Sequence, residues 1–325
     1  MKLRRLGKTG IKVSEIGFGS YALGGTKWGP QKDSDSLAAI NKALDLGCVY
    51  FDTALTYGKG HSEKLIGQIL KERNCADEII VSTKVPQKSC GTFPQRVSEN
   101  IRDAFPKEWI LECLEKSLKN LGRNYVDVLQ LHAWNETWNG ETEWMDTMQE
   151  LKDNGKIRAF GISLMPRQPN QANKLVAAGK VDTIQVVYNI LDQSPEEKLF
   201  PLAKKSGTGI IARVPLASGL LTGKWNAETK FPEGDFRQQR YNAEKLIGAL
   251  QQVESIKRVI GNSMPMHEAA LKFCLANKTV SSVIVGSRNE KQADMNFSIA
   301  NNKKKLARSQ LAELKKLWVE KKICS

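Results

Sequence analysis

Eight short apolar runs, each followed by an amphipathic stretch and most ending on a polar residue or glycine, predict an α/β chain closed into a (β/α)8, or TIM, barrel. Strict alternation implies a parallel sheet, and eight units favour closure over an open doubly wound sheet. The strands are expected at 15–20, 48–54, 78–85, 126–132, 157–163, 183–189, 209–215 and 281–286. All are short and rich in β-branched or aromatic residues. Ahead of them, residues 3–13 turn at Lys8-Thr9-Gly10 and read as a β-hairpin plugging the barrel's bottom.

The helices follow from apolar spacing and their stop signals. Residues 35–46 align Leu37, Ile40 and Leu44, with Ala43 across the stripe. Residues 62–71 open on Ser62 as N-cap and carry Leu65, Ile66, Ile69 and Leu70. Residues 107–121 carry Ile110, Leu111, Leu114, Leu118 and Leu121 and stop at Gly122. The stretches 144–154, 170–178 and 195–206 stop at Gly155, Gly179 and Gly207. Helices at 266–277 and 292–300 complete the set, and 305–321 reads as an appended C-terminal helix. No Ser/Gly/Pro-rich linker interrupts the series, so residues 1–325 are expected to form one domain. The segment 224–262 shows no assigned element and reads as a lid over whatever the barrel binds.

Composition narrows the class. With 41% hydrophobic and 26% charged residues among 325, the chain is an ordinary globular one. No apolar run approaches the roughly 20 residues of a membrane span, and Met1-Lys2-Leu3-Arg4-Arg5 has no apolar segment behind it to make a signal peptide. Six scattered cysteines (Cys48, Cys75, Cys90, Cys113, Cys274, Cys324) suit reduced thiols in a cytoplasmic protein. His61, His132 and His267 have no metal-ligand spacing, so no metal is expected. The net charge of +14 is spread along the chain; its densest runs, Lys303-Lys304-Lys305, Lys315-Lys316 and Lys321-Lys322, lie in helical surroundings and read as a solvated face. No nucleic-acid recognition motif accompanies it.

The strands end, in order, on Asp52, Lys84, His132, Ser163, Gln185 with Asn189, Arg213, and Gly286-Ser287-Arg288. In a barrel these ends share the face that carries the active site. Asp52, Tyr57, Lys84 and His132 make chemical sense together as a carbonyl-reducing set. Reduction needs a hydride on carbon and a proton on oxygen. A tyrosine with its usual pKa near 10 is a poor acid at neutral pH, whereas an adjacent lysine, kept charged by an aspartate, would lower it. An imidazole nearby can orient the carbonyl.

These residues resemble the aldo-keto reductase family. Asp52-Thr53-Ala54-Leu55-Thr56-Tyr57-Gly58 with Gly60-His61-Ser62-Glu63 is similar to its D-T-A-x-x-Y-G-x-G-x-S-E signature. Ser82-Thr83-Lys84-Val85 resembles its lysine strand, and Leu129-Gln130-Leu131-His132 its histidine strand. The resemblance implies the same barrel, with Tyr57 as general acid, Lys84 and Asp52 tuning it, and His132 positioning a small carbonyl or alcohol substrate. It also implies NADP(H) as cofactor. Ser163 and Gln185 would hold the nicotinamide carboxamide. Gly286, Ser287 and Arg288 with Gln292 and Asn296 resemble a G-x-R-x-x-x-Q-x-x-x-N element, in which Arg288 would meet the 2′-phosphate. Arg213, Pro215, Leu216 and Lys224 complete the expected cofactor contacts. The glycines at Gly17, Gly19 and Gly24 lack Rossmann spacing.

Two positions depart from the family pattern. Leu164 follows the serine where many members have asparagine, and Arg213 stands where many stack an aromatic ring on the nicotinamide, as in a bacterial-type subgroup. Tyr21, Trp28, Trp134 and Trp138, in loops of the top face, are expected to wall the substrate pocket, or else to pack loop on loop. Arg237 and Arg240 lie in the lid segment and are candidates for the pyrophosphate, whereas His61, in the loop just before a helix, and His267, on a helix far from any motif, suggest no chemistry. Some family barrels serve as cofactor-sensing subunits of ion channels, so such a role stands beside catalysis as the alternative.

Overall fold

Residues 3–14 alternate their burial as a two-stranded ribbon should. Leu6, Ile11 and Val13 turn inward, while Leu3, Arg5 and Lys12 face out. In the computed structural model, which describes residues 1–25, 27–88, 100–320 and 323, Leu3–Arg5 (β1) and Lys12–Ser14 (β2) pair antiparallel. Eight strands then close a barrel: Ile16–Gly19 (β3), Tyr50–Asp52 (β4), Ile80–Pro86 (β5), Val126–His132 (β6), Ile157–Ser163 (β7), Thr183–Val187 (β8), Gly209–Arg213 (β9) and Val280–Val285 (β10). Each pairs in parallel with its neighbours, and β10 closes on β3.

Most strands are buried on both faces, so they read as continuous apolar runs. Around them stand Asp33–Asp45 (α1), His61–Glu72 (α2), Ile101–Ala104 (α3), Lys107–Leu121 (α4), Glu143–Asp153 (α5), Asn173–Ala177 (α6), Leu199–Ser206 (α7), Arg237–Arg240 (α8), Ala243–Ile260 (α9), Met266–Ala276 (α10), Glu290–Phe297 (α11) and Arg308–Val319 (α12). The glycine stops hold: Gly122 and Gly207 cap α4 and α7 in the left-handed conformation.

One core fills the space between barrel and helices. A second lies inside the barrel's lower half, where Leu6, Ile11 and Val13 of the hairpin meet Tyr50, Ile80, Val128, Ala159, Ile211 and Ile284 from the strands. The hairpin is therefore the floor. Its turn is fixed where Lys8 N donates to Gly207 O at 2.7 Å. Gly7 is obligatory there: its φ is +56°, and a Cβ would stand 2.3 Å from Gly207 O.

The segment 224–262 is not structureless. It holds α8 and α9, which is 18 residues long and buries Leu246, Val253, Ile256 and Ile260. The helical signal was present: those apolar residues follow helical spacing, Asn242 caps the start by accepting from Lys245 N, and Gly261 ends it. The appended helix is α12, shorter than expected, with residues 321 and 322 outside the described set. Gln310 fastens it to α9 by donating to Val259 O and Ile260 O. Among the described residues no helix is long and apolar enough to cross a membrane.

Candidate active site

The barrel brings β4, β5 and β6 side by side, with Asp52 opposite Ser82, Lys84 opposite Gln130 and Pro86 opposite His132. Their last residues therefore meet at one rim. Lys84 is wholly buried, and a buried ammonium without partners would cost several kcal/mol. Its Nζ donates to Asp52 Oδ2 at 2.7 Å and Thr53 O at 2.6 Å, and reaches Tyr57 Oη at 3.4 Å. Asp52 Oδ1 accepts from Gln185 Nε2 at 2.7 Å, and Gln185 Oε1 accepts from Ser163 Oγ at 3.3 Å. A continuous polar chain thus runs from Tyr57 through Lys84 and Asp52 to Gln185 and Ser163. The His132 ring stands edge-on to Tyr57, with centroids 6.1 Å apart.

Burial, reinforced by Asp52, pushes the Tyr57 phenol well above its usual value, against the pull of Arg213. The net direction is opposite to the lowering expected from the lysine, so the phenol stays protonated at neutral pH. Burial lowers Lys84, with Asp52 opposing. Burial, Lys84 and Arg213 together hold His132 well below an ordinary imidazole, and the ring is neutral.

Tyr57 and Asp52 border a cavity of about 380 Å³ that also touches Tyr21, Trp28, Gln185 and Arg213 at this end. It continues past Pro215 and Leu216 to Lys224, Gly286, Arg288, Gln292 and Asn296. Fourteen of the expected site residues, Arg237 among them, thus share one cavity. Ser163 and Ser287 stand behind it, hydrogen-bonded to Gln185 and to Asn296 Nδ2 (3.0 Å). The wall between the two ends is strained: Val214, Ala217 and Ser218 have φ of 58°, 47° and 60°. Left-handed backbone at non-glycine residues costs of order 1–3 kcal/mol each and clusters at functional sites.

At the far end, Asn289 caps α11 by accepting from Gln292 N, and Gln292 Oε1 accepts from Arg288 N at 2.9 Å. Arg288 Nε donates to Gln31 Oε1 at 2.7 Å, and Nη2 donates to Pro30 O. An arginine beside a helix N-terminus suits a phosphate.

Trp134 and Trp138 do not border the cavity. They are 0% and 1% exposed and pack edge to face against each other, with Trp144 and Phe105 around them. Indoles in a loop sequence carry no mark of which side they face, and here both join the core between barrel and helices. Arg240 is exposed over Tyr241 and also lies outside the cavity. His267, in contrast, borders it, as does Arg237. The guanidinium of Arg237 lies 4.7 Å above Trp28 and 4.8 Å from Phe231, and pairs with Asp235 at 2.6 Å. Asp235-Phe236-Arg237 forms a clasp: Phe236 N donates to Lys27 O at 3.0 Å, and Trp28 bridges to Asp235. The loop ahead of α8 is thereby closed onto the loop after β3.

A family model described as the Aldo/keto reductase family matches residues 15–319. The chain is 31% identical over 299 residues to the aldo-keto reductase YhdN of Bacillus subtilis, covering 90% of this chain and 87% of that protein. It is 29% identical to the NADH-specific methylglyoxal reductase of Escherichia coli, over 93% of this chain and 94% of the other. The solved holo form of aldo-keto reductase AKR11C1 from Bacillus halodurans superimposes with a TM-score of 0.77 at 28% identity, covering 98% and 96% of the two chains.

Proposed function

The chain belongs to the aldo/keto reductase family, and from that premise we propose that it is an NADPH-dependent carbonyl reductase in which Tyr57 is the general acid. The observation that carries this reading is the buried Lys84–Asp52 pair directly behind a protonated Tyr57 at the cavity wall. The nicotinamide cofactor used by the family supplies a hydride when bound. The rest falls to the chain's own side chains.

An alkoxide formed at the substrate carbon is a stronger base than a phenolate, so even a phenol with a raised pKa can protonate it. Lys84, 3.4 Å from Tyr57 Oη, then stabilises the phenolate left behind, and Asp52 keeps Lys84 in place. His132, held neutral, donates or accepts a hydrogen bond without competing as an acid. The residues fit the cofactor: Gln185 and Ser163 offer amide-binding groups at the catalytic end, and Arg288 with the α11 N-terminus offers an anion site at the other. The preference for NADPH over NADH rests on Arg288. Tyr21 and Trp28 give the substrate end an aromatic wall.

The test is NADPH oxidation against a panel of aldehydes, ketones and sugars, with Tyr57→Phe beside the wild type. Turnover should fall at least 100-fold in the variant while NADPH still binds. Tight NADPH binding with no turnover on any carbonyl would end the reductase reading and favour a cofactor-sensing subunit.

A further inference from the structure

The two departures from the family pattern touch each other. Leu164 is fully buried in the core, so its side chain offers nothing to a polar ligand. Its backbone, however, is placed with care: Leu164 N donates to Gln185 O at 2.9 Å, and Leu164 O accepts from Arg213 Nη2 at 2.9 Å. The guanidinium is planar, so fixing Nη2 also fixes where Nε–H points. Arg213 Nε is buried and has no hydrogen-bond partner among the described residues, although Arg213 borders the cavity beside Tyr57. Buried donors of this kind are rare unless something absent satisfies them.

The surroundings hold that geometry. Tyr188 N donates to Arg213 O at 3.2 Å, and Asn189 Nδ2 donates to Val214 O at 3.0 Å, pinning the left-handed Val214 that follows. Meanwhile Gln185 has given one amide hydrogen to Asp52, and Ser163 has given its hydroxyl hydrogen to Gln185. Of that pair only the second Gln185 amide hydrogen is left to donate, and a carboxamide oxygen needs a donor.

We propose that Arg213, anchored on the Leu164 carbonyl, supplies through Nε–H the hydrogen bond to the nicotinamide carboxamide oxygen that an asparagine at position 164 would otherwise supply. The leucine and the arginine are then one device, and neither change is useful alone. This rests on the reading of the cavity as a nicotinamide site.

The experiment compares dissociation constants, by quenching of protein fluorescence, for NADPH and its thionicotinamide analogue, whose sulfur accepts hydrogen bonds poorly. Wild type should bind the analogue about tenfold more weakly. In Arg213→Met the discrimination should shrink to about twofold or less, and adding Leu164→Asn to that variant should recover NADPH affinity and the discrimination with it. Where Arg213→Met fails to fold by circular dichroism, Arg213→Lys, which keeps the charge but lacks Nε, takes its place in the comparison. Unchanged discrimination in the arginine variant would overturn the proposal while leaving the cofactor site standing. A wild type that binds neither NADPH nor NADH would overturn the underlying reading as well.

Discussion

At the scale of single residues, the proposed chemistry rests on the balance around Tyr57, Lys84, Asp52 and His132 and on the cation at the cavity's far end, and two consequences can be measured. Arg288 is the cation set at the α11 N-terminus, so Arg288→Ala should weaken NADPH binding roughly 10- to 100-fold and NADH binding little, read from the two dissociation constants. Equal losses for both cofactors would remove the 2′-phosphate from its role. His132 is depressed below the ordinary value of 6.5. On acidification through about 6.5 the unfolded chain therefore takes up a proton that the folded chain refuses. Stability should fall in that window and be fully present above it, and denaturant titrations at pH 5 and pH 8 should differ less in His132→Gln. That Asp52, Tyr57, Lys84 and His132 meet was legible in the sequence because each sits near or just past a strand end in a spaced motif. Trp134 and Trp138 were not, since exposure depends on which way a loop folds back. His267 was missed for a related reason: it lies on α10, whose placement against the cavity wall no local pattern records.

At the scale of elements, strand positions were easiest to read, because a doubly buried parallel strand leaves an unbroken apolar run. Helices with a single strong stripe and a glycine stop, such as α4, came out with their observed bounds. α9 was not read from the sequence because its buried stripe is sparse, with only Leu246, Val253, Ile256 and Ile260 inward over 18 residues. The clasp between the loop ahead of α8 and the loop after β3 had no signal in spacing at all. It depends on Phe236 N donating to Lys27 O, and on Trp28 meeting both Phe236 and Arg237. Trp28 and Arg237 border the cavity, so on the proposed reading the clasp would have to part to release a dinucleotide. Replacing Phe236 by Ala should accordingly raise the NADPH release rate several-fold in stopped-flow displacement, with the chemical step unchanged. Release that stays at the wild-type rate would mean that the clasp does not gate the cavity.

For the whole molecule, barrel closure was predictable from counting eight units, and the hairpin floor from one Gly-containing turn ahead of them. The consequence for stability lies in the inner core. Leu6 is completely buried among Tyr50, Ile80, Val128 and their neighbours at the barrel's base, so Leu6→Ala should cost about 2–5 kcal/mol in equilibrium unfolding. Its effect on turnover at saturating substrate should be small, because the floor and the catalytic rim occupy opposite ends. A large activity loss with stability intact would show that the two ends communicate.

The floor also sets a timetable. Arg4 donates to Val280 O of β10 and Leu275 O of α10, joining β1 to the last strand of the barrel and to the helix before it. Translation at roughly 5–20 residues per second separates those two segments by about 15 to 55 s. Through that interval Leu6, Ile11 and Val13 lack the complete barrel that buries them in the folded structure. The inner core is therefore completed only once the eighth strand has been made.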